Sequence, residues 1–207
     1  MARKPPTKPR KQASQERSRA TVDALIEATA RILVREGFDR ASTNRIAEVA
    51  GVSVGSLYQY YPGKEALVAA VIDRHHEEIM RVVREALAEV ASQPVKKAVR
   101  RLVTAAIDAH RVDPRLHRVL AEQIPRTGRL ENVDAFNREA HALFMAYLES
   151  RRDELRVADP GMAAFVCVTS IEALTHNAVL HHSEKLSDEA VRTLVDEATR
   201  LVVGYLQ

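Results

Sequence analysis

From residue 22 onward, apolar side chains return at three- and four-residue steps. Val22, Leu25, Ile26, Thr29, Ile32 and Leu33 share one face, so the pattern predicts a helix that Gly37 ends. Ser42-Thr43 then opens a short helix carrying Ile46, Ala47, Val49 and Ala50, stopped by Gly51. Ser53 caps a third, Val54 to about Tyr60, and Pro62-Gly63 closes it. A long fourth helix is predicted from Lys64 to about Ala91. Five more follow, separated by breakers. One opens at Ser92 to Pro94 and ends near Asp113, and one starts at Pro114 and runs to Ile124. Pro125 to Gly128 reads as a loop. Phe136, Ala140, Leu143, Phe144, Tyr147 and Leu148 mark an amphipathic helix from about Val133 to about Leu155. Asp159-Pro160 opens an apolar helix to about His181, and Ser187 opens the last. No strand-like alternation is long enough for a sheet. The expected fold is all-α, with about nine helices.

Charge divides the chain further. Arg3, Lys4, Lys8, Arg10, Lys11, Arg17 and Arg19 against Glu16 give residues 1–19 a charge of +6, although the whole chain carries only +3. Pro5, Pro6 and Pro9 keep this arm from being regular helix, and it has too little apolar surface to fold alone. Such an arm either solubilises or lies along a polyanion, releasing counterions from phosphates. The single cysteine, Cys167, excludes a disulfide framework and a multi-cysteine zinc site. The sequence reading finds no membrane-length apolar run and no secretory signal, so a cytoplasmic location without membrane contact is expected.

Two short helices joined by a glycine-bearing turn are the parts of a helix-turn-helix. Ala47 is small where the helices must approach, Gly51 supplies the positive φ of the turn, and Val52 and Leu57 point back into the pair. The other face of the third helix suits a DNA major groove. Ser56 and Gln59 can exchange hydrogen bonds with base edges, Val54 can meet a thymine methyl, and Gly55 lets backbone approach. Tyr58, Tyr60 and Lys64 can reach flanking phosphates, unless the tyrosines are ordinary packing. Ser53, at the start of this helix, and Asn44 and Arg45, on the second, complete the candidate DNA contacts.

These residues carry a resemblance. Gly37-Phe38, Ser42-Thr43, Ile46-Ala47, Ala50-Gly51-Val52-Ser53, Gly55, Leu57 to Tyr61 and Lys64 to Leu67 resemble the DNA-binding signature of the TetR family almost position for position, over about residues 20–67. The resemblance implies that Thr43 contacts phosphate, that residues 53–60 are the recognition segment and that Lys64 anchors phosphate. Two positions depart from the family pattern. Tyr61 replaces a common Phe, so its hydroxyl needs a partner if the ring is buried, and Gly63 replaces a common Ser cap. The resemblance also implies a homodimer on double-stranded DNA, with residues 68–207 forming a ligand-binding and dimerising domain whose last two helices pair with a partner's.

Apolar stripes agree with such pairing but fit an internal core equally well. They are Cys167, Ile171, Leu174 and Ala178 on the penultimate helix, and Val191, Val195, Ala198 and Val202 on the last. Opposite the first stripe, Thr169, Glu172 and His176 fall within roughly 60° of one another at 100° per residue. Polar groups between Phe165 and Leu180 on a buried helix would suit a small-molecule site. A Glu172–His176 pair at i, i+4, or a solvated face, would explain them as well. His110, His117, Phe144 and Tyr147 are the next candidates for ligand contacts. No catalytic residue, cofactor or metal is expected: HExxH, GxGxxG and GxxxxGK are all missing, and His176, His181 and His182 do not converge. A helical small-molecule-binding adaptor, or an enzyme without operator binding, is the competing class.

Overall fold

The computed structural model describes residues 16–122, 126–182 and 187–207. The basic arm lies outside these residues, apart from the start of the first helix. The helices are α1 (Glu16–Glu36), α2 (Thr43–Ala50), α3 (Val54–Tyr60), α4 (Lys64–Val90), α5 (Val95–Arg111), α6 (Pro114–Glu122), α7 (Arg126–Ser150), α8 (Pro160–His182) and α9 (Asp188–Leu206), with a 3₁₀ turn at Arg152–Glu154 before α8. No strand occurs among the described residues, so the all-α expectation holds.

Side-chain caps explain four of the helix starts. Ser42 Oγ accepts from Arg45 N–H, Ser53 Oγ from Ser56 N–H and Ser187 Oγ from Ala190 N–H, each satisfying a donor that its helix leaves orphaned. Asp159 Oδ1 does the same at α8, accepting from Gly161 N–H at 2.8 Å and Met162 N–H at 3.1 Å. Gly51 closes α2 in the left-handed region at φ 68°. One boundary differs from the pattern reading. Helix α7 begins at Arg126, about two turns before the expected Val133, and runs through the segment read as a loop. Gly128 is the sole glycine there, and one glycine costs a helix interior only about 1 kcal/mol. The same helix stops at Ser150, short of Leu155.

The chain divides into two compact units, residues 1–75 with 115–133, and residues 76–114 with 134–207. In the first, α2 packs on both α1 and α3. Its core holds Leu25, Ile32, Leu33, Ile46, Leu57, Leu67 and Val71. Thr29 is buried among them with its hydroxyl returned to the Leu25 carbonyl at 2.7 Å. Leu116, Val119 and Leu120 of α6 join this core. A helix that the sequence reading grouped with residues 68–207 therefore supports the helix-turn-helix.

In the second unit α5 packs against both α8 and α9. The core comprises Val95, Val99, Val103 and Ile107 of α5, Phe144 and Leu148 of α7, Ala163, Cys167 and Ile171 of α8, and Val195, Ala198, Val202 and Leu206 of α9. Arg156 N–H donates to the Leu206 carbonyl at 2.9 Å, tying the end of α9 to the segment before α8. The membrane expectation needs a correction, because Pro160–Leu180 of α8 is long and apolar enough to cross a membrane by length and composition. Its only charged residue is Glu172; Ala163, Ala164, Cys167, Ile171, Val179 and Leu180 are buried within this unit, so core packing accounts for one face, whereas Met162, Phe165 and Leu174 are exposed.

Candidate functional site

The turn between α2 and α3 sets the first site. Gly51 N–H returns to Glu48 O at 3.1 Å and Val52 N–H to Ala47 O at 3.0 Å, which fixes where α3 starts. Ile46, Ala47 and Leu57 are buried behind the turn, leaving Ser53, Gly55, Tyr58 and Gln59 exposed. Val54 and Ser56 are half-buried, and the Ser56 hydroxyl lies 2.8 Å from Ser53 Oγ, so it serves the cap as well as the surface. Thr43 Oγ1 and Tyr58 Oη are 3.1 Å apart, a hydrogen bond that pins the Tyr58 ring against α2. Asn44 is exposed. Arg45 is exposed too, but Glu36 and Glu48 hold its guanidinium, at 3.4 and 2.9 Å, and further raise its already high pKa.

Two expected DNA contacts are placed elsewhere. Tyr60 is buried, and its hydroxyl donates to Ser18 Oγ at 3.1 Å, so it packs α3 onto α1 rather than facing outward. Lys64 Nζ donates to the Phe38 carbonyl at 3.1 Å and sits 4.1 Å from the centroid of the Phe38 ring. Lys64 is half-buried, and its ammonium braces the unit by hydrogen bond and cation–π attraction. Tyr61 is buried as its position requires. Desolvation, with the nearby charges of Asp23 and Asp73, pushes its phenol up to about 12, keeping it neutral.

The second unit contains a cavity of about 90 Å³. Ile79, Val83 and Leu87 of α4, Leu102 and Ala106 of α5, Ala140, Leu143 and Phe144 of α7, and Val168 and Ile171 of α8 make its apolar wall. Two polar side chains complete it, His110 and Glu172. His110 Nδ1 lies 2.6 Å from the Ala106 carbonyl, an N–H donor in the neutral ring, and burial lowers the pKa, assisted by repulsion from His176. The His176 ring stands edge-on to it at 6.0 Å between centroids. Burial raises the pKa of Glu172, and no hydrogen bond or ion pair reaches its carboxylate among the described residues.

Of the seven expected ligand residues, the structure thus brings His110, Phe144 and Glu172 to one cavity, with His176 beside it. Thr169 is exposed. Tyr147 is buried with its hydroxyl donated to the Gln93 carbonyl at 3.1 Å. His117 belongs to the first unit, its Nδ1 3.0 Å from Nε2 of His75. The apolar wall carried no distinguishing signal in the sequence, because cavity-lining and core side chains repeat with the same period.

The proposed pairing stripes also need correction. Cys167, Ile171, Val195, Ala198 and Val202 are buried inside their own unit, and Ala178 and Val191 are half-buried. Leu174 alone of the eight is exposed. The exposed apolar side chains of these helices are Met162, Phe165 and Leu174 on α8, with Leu201 and Tyr205 on α9.

A capped, glycine-turned helix pair followed by a helical unit with its own cavity defines an all-helical protein of the helix-turn-helix class. Comparison with known proteins places it more closely. The family model for tetracyclin repressor-like C-terminal domains matches residues 94–206, and that for bacterial regulatory proteins of the tetR family matches residues 25–71. The chain belongs to the TetR family of transcriptional regulators. It is 32% identical over 98 residues to the HTH-type transcriptional activator FasR of Mycolicibacterium smegmatis, covering 47% of this chain and 44% of that protein. The match spans about half the length of the curated relatives. In fold it is similar to the fatty acid degradation regulator FadR of Bacillus halodurans, with a TM-score of 0.71, 19% identity and coverage of 96% and 99% of the two chains. It is also similar to FadR of Bacillus subtilis in complex with stearoyl-CoA, with a TM-score of 0.68, 16% identity and coverage of 89% and 99%.

Proposed function

We propose that the protein is a cytoplasmic, ligand-responsive transcriptional repressor that binds a pseudo-palindromic operator as a homodimer and is released by a small molecule. The exposed face of α3 carries this reading. Gln59 and Tyr58 stand outward on a short helix whose start and tilt are fixed by the Gly51 turn and the Thr43–Tyr58 bond. Gln59 can bond an adenine edge bidentately, Gly55 admits close backbone approach, and Thr43, Asn44 and Ser53 surround them with groups suited to phosphate. The basic arm adds affinity without register. A two-fold dimer would set two such helices against half-sites about one helical turn apart, and the exposed apolar residues of α8 and α9 are the surface for a second copy.

The cavity of the second unit is the proposed effector site. Effector binding lowers operator affinity by as much as it favours the released state over the bound one. The complex of Bacillus subtilis FadR with stearoyl-CoA supports a helical unit of this kind as the house of an effector. Selection from random duplexes tests the DNA reading. The wild-type chain should enrich a palindrome, and Gln59→Ala should cost about 1–3 kcal/mol on it and relax preference at one position per half-site. Enrichment of nothing by the wild type would favour an adaptor or an enzyme, and an unchanged preference in the variant would remove Gln59 as a reader.

A further inference from the structure

We propose that the cavity of the second unit selects a cationic ligand, a short apolar group bearing a positively charged head, with Glu172 as the residue that determines this specificity. The inference rests on reading the cavity as the effector site. Among the described residues its wall is apolar except at Glu172 and His110, with no lysine or arginine in the lining. Arg84 of α4, which is not among the lining residues, is taken by Glu77 and Glu139. Burial lowers the pKa of His110, which disfavours a compensating charge on that ring.

A carboxylate facing an apolar wall with no lysine or arginine among its described lining residues is costly in its ionised form, and its raised pKa follows from that burial. A ligand changes this balance according to its head group. A cation restores the ionised carboxylate and gains a charge-assisted contact in a low-dielectric setting. A neutral alcohol gains one hydrogen bond. An anion meets a like charge or forces the proton to stay. The volume bounds the tail, since a dry apolar cavity of about 150 Å³ holds a benzene ring and this one is about 90 Å³.

The test uses the full chain and three probes that share a tail and stay within this volume bound: propylammonium, propanol and propanoate, titrated by calorimetry or ligand-observed NMR. The ammonium should bind at least about tenfold tighter than the alcohol, and propanoate weakest. Glu172→Gln keeps the side-chain shape, and should bring the ammonium down to the alcohol's affinity while leaving the alcohol unchanged. Leu143→Trp, which fills the cavity, should abolish binding of all three. Equal binding of the three heads, or a preference that survives Glu172→Gln, overturns the cationic assignment while leaving the cavity as a site. Ammonium binding that persists in Leu143→Trp places the cation elsewhere and also overturns it. If none of the three probes binds the wild-type chain, the effector-cavity reading fails and this inference with it.

Discussion

Gly51 and Gly204 both have open space where a β-carbon would stand, yet alanine should move stability in opposite directions at the two. Gly51 holds φ 68°, where a side chain crowds its own carbonyl, so Gly51→Ala should cost about 1–2 kcal/mol and Gly51→Asn less. Gly204 lies in α9 with ordinary helical backbone, so Gly204→Ala should gain about 0.5–1 kcal/mol by restricting the unfolded chain. Urea unfolding of the three variants checks both signs, and a stabilised Gly51→Ala would overturn the strain argument. The turn glycine was legible in the sequence because its neighbours left the chain no other way to turn. Tyr60 was not. Its residue type suits a phosphate contact as well as a core, and the choice is made by Ser18, 42 residues away, which takes its hydroxyl. Lys64 was opaque for the same reason, its partner being a carbonyl at Phe38.

Helix starts could be read because a cap is local chemistry. Ser42, Ser53 and Ser187 each sit where the pattern placed them. Ser53 makes the clearest test of an element's role. Its Oγ accepts from Ser56 N–H at 3.0 Å and meets Ser56 Oγ at 2.8 Å, so it shapes the first turn of α3. Ser53→Ala should therefore lower stability by about 1 kcal/mol and weaken binding to all duplexes alike, without the shift in base preference expected of Gln59→Ala. Unfolding curves and a duplex panel separate the two, and a changed preference in Ser53→Ala would make it a reader. The early start of α7 escaped the pattern because Pro125 with Gly128 three residues on looks like a turn, whereas the following Arg129-Leu130-Glu131 favours helix. The stripes on α8 and α9 were found, but periodicity reports which face is apolar and not what covers it.

For the whole molecule, that ambiguity becomes a question of assembly. Buried core positions and exposed apolar positions on α8 and α9 are distinct, so charge placed on each should give different results. Phe165→Glu together with Leu201→Glu, both at residues more than half exposed, should yield a folded monomer by sedimentation with at least tenfold weaker operator binding, since half-sites then lose their linkage. Val195→Glu, at a residue 5% exposed, should unfold the unit. A double variant that still sediments as a dimer would place the interface elsewhere.

The lone cysteine gives this molecule a property of practical use. Cys167 is 1% exposed in the core of the second unit, and burial moves its thiol from 9.0 up to about 12. Near neutral pH that shift alone makes the reactive thiolate about a thousandfold scarcer than in the open chain, before steric shielding is counted. Each chain therefore carries one chemical stopwatch, silent while α5, α8 and α9 are closed over it and started only when that core opens. Because no second thiol competes, the rate at which a maleimide consumes it follows the fraction of time this half of the protein stands open, and any effector that fills the cavity slows the watch.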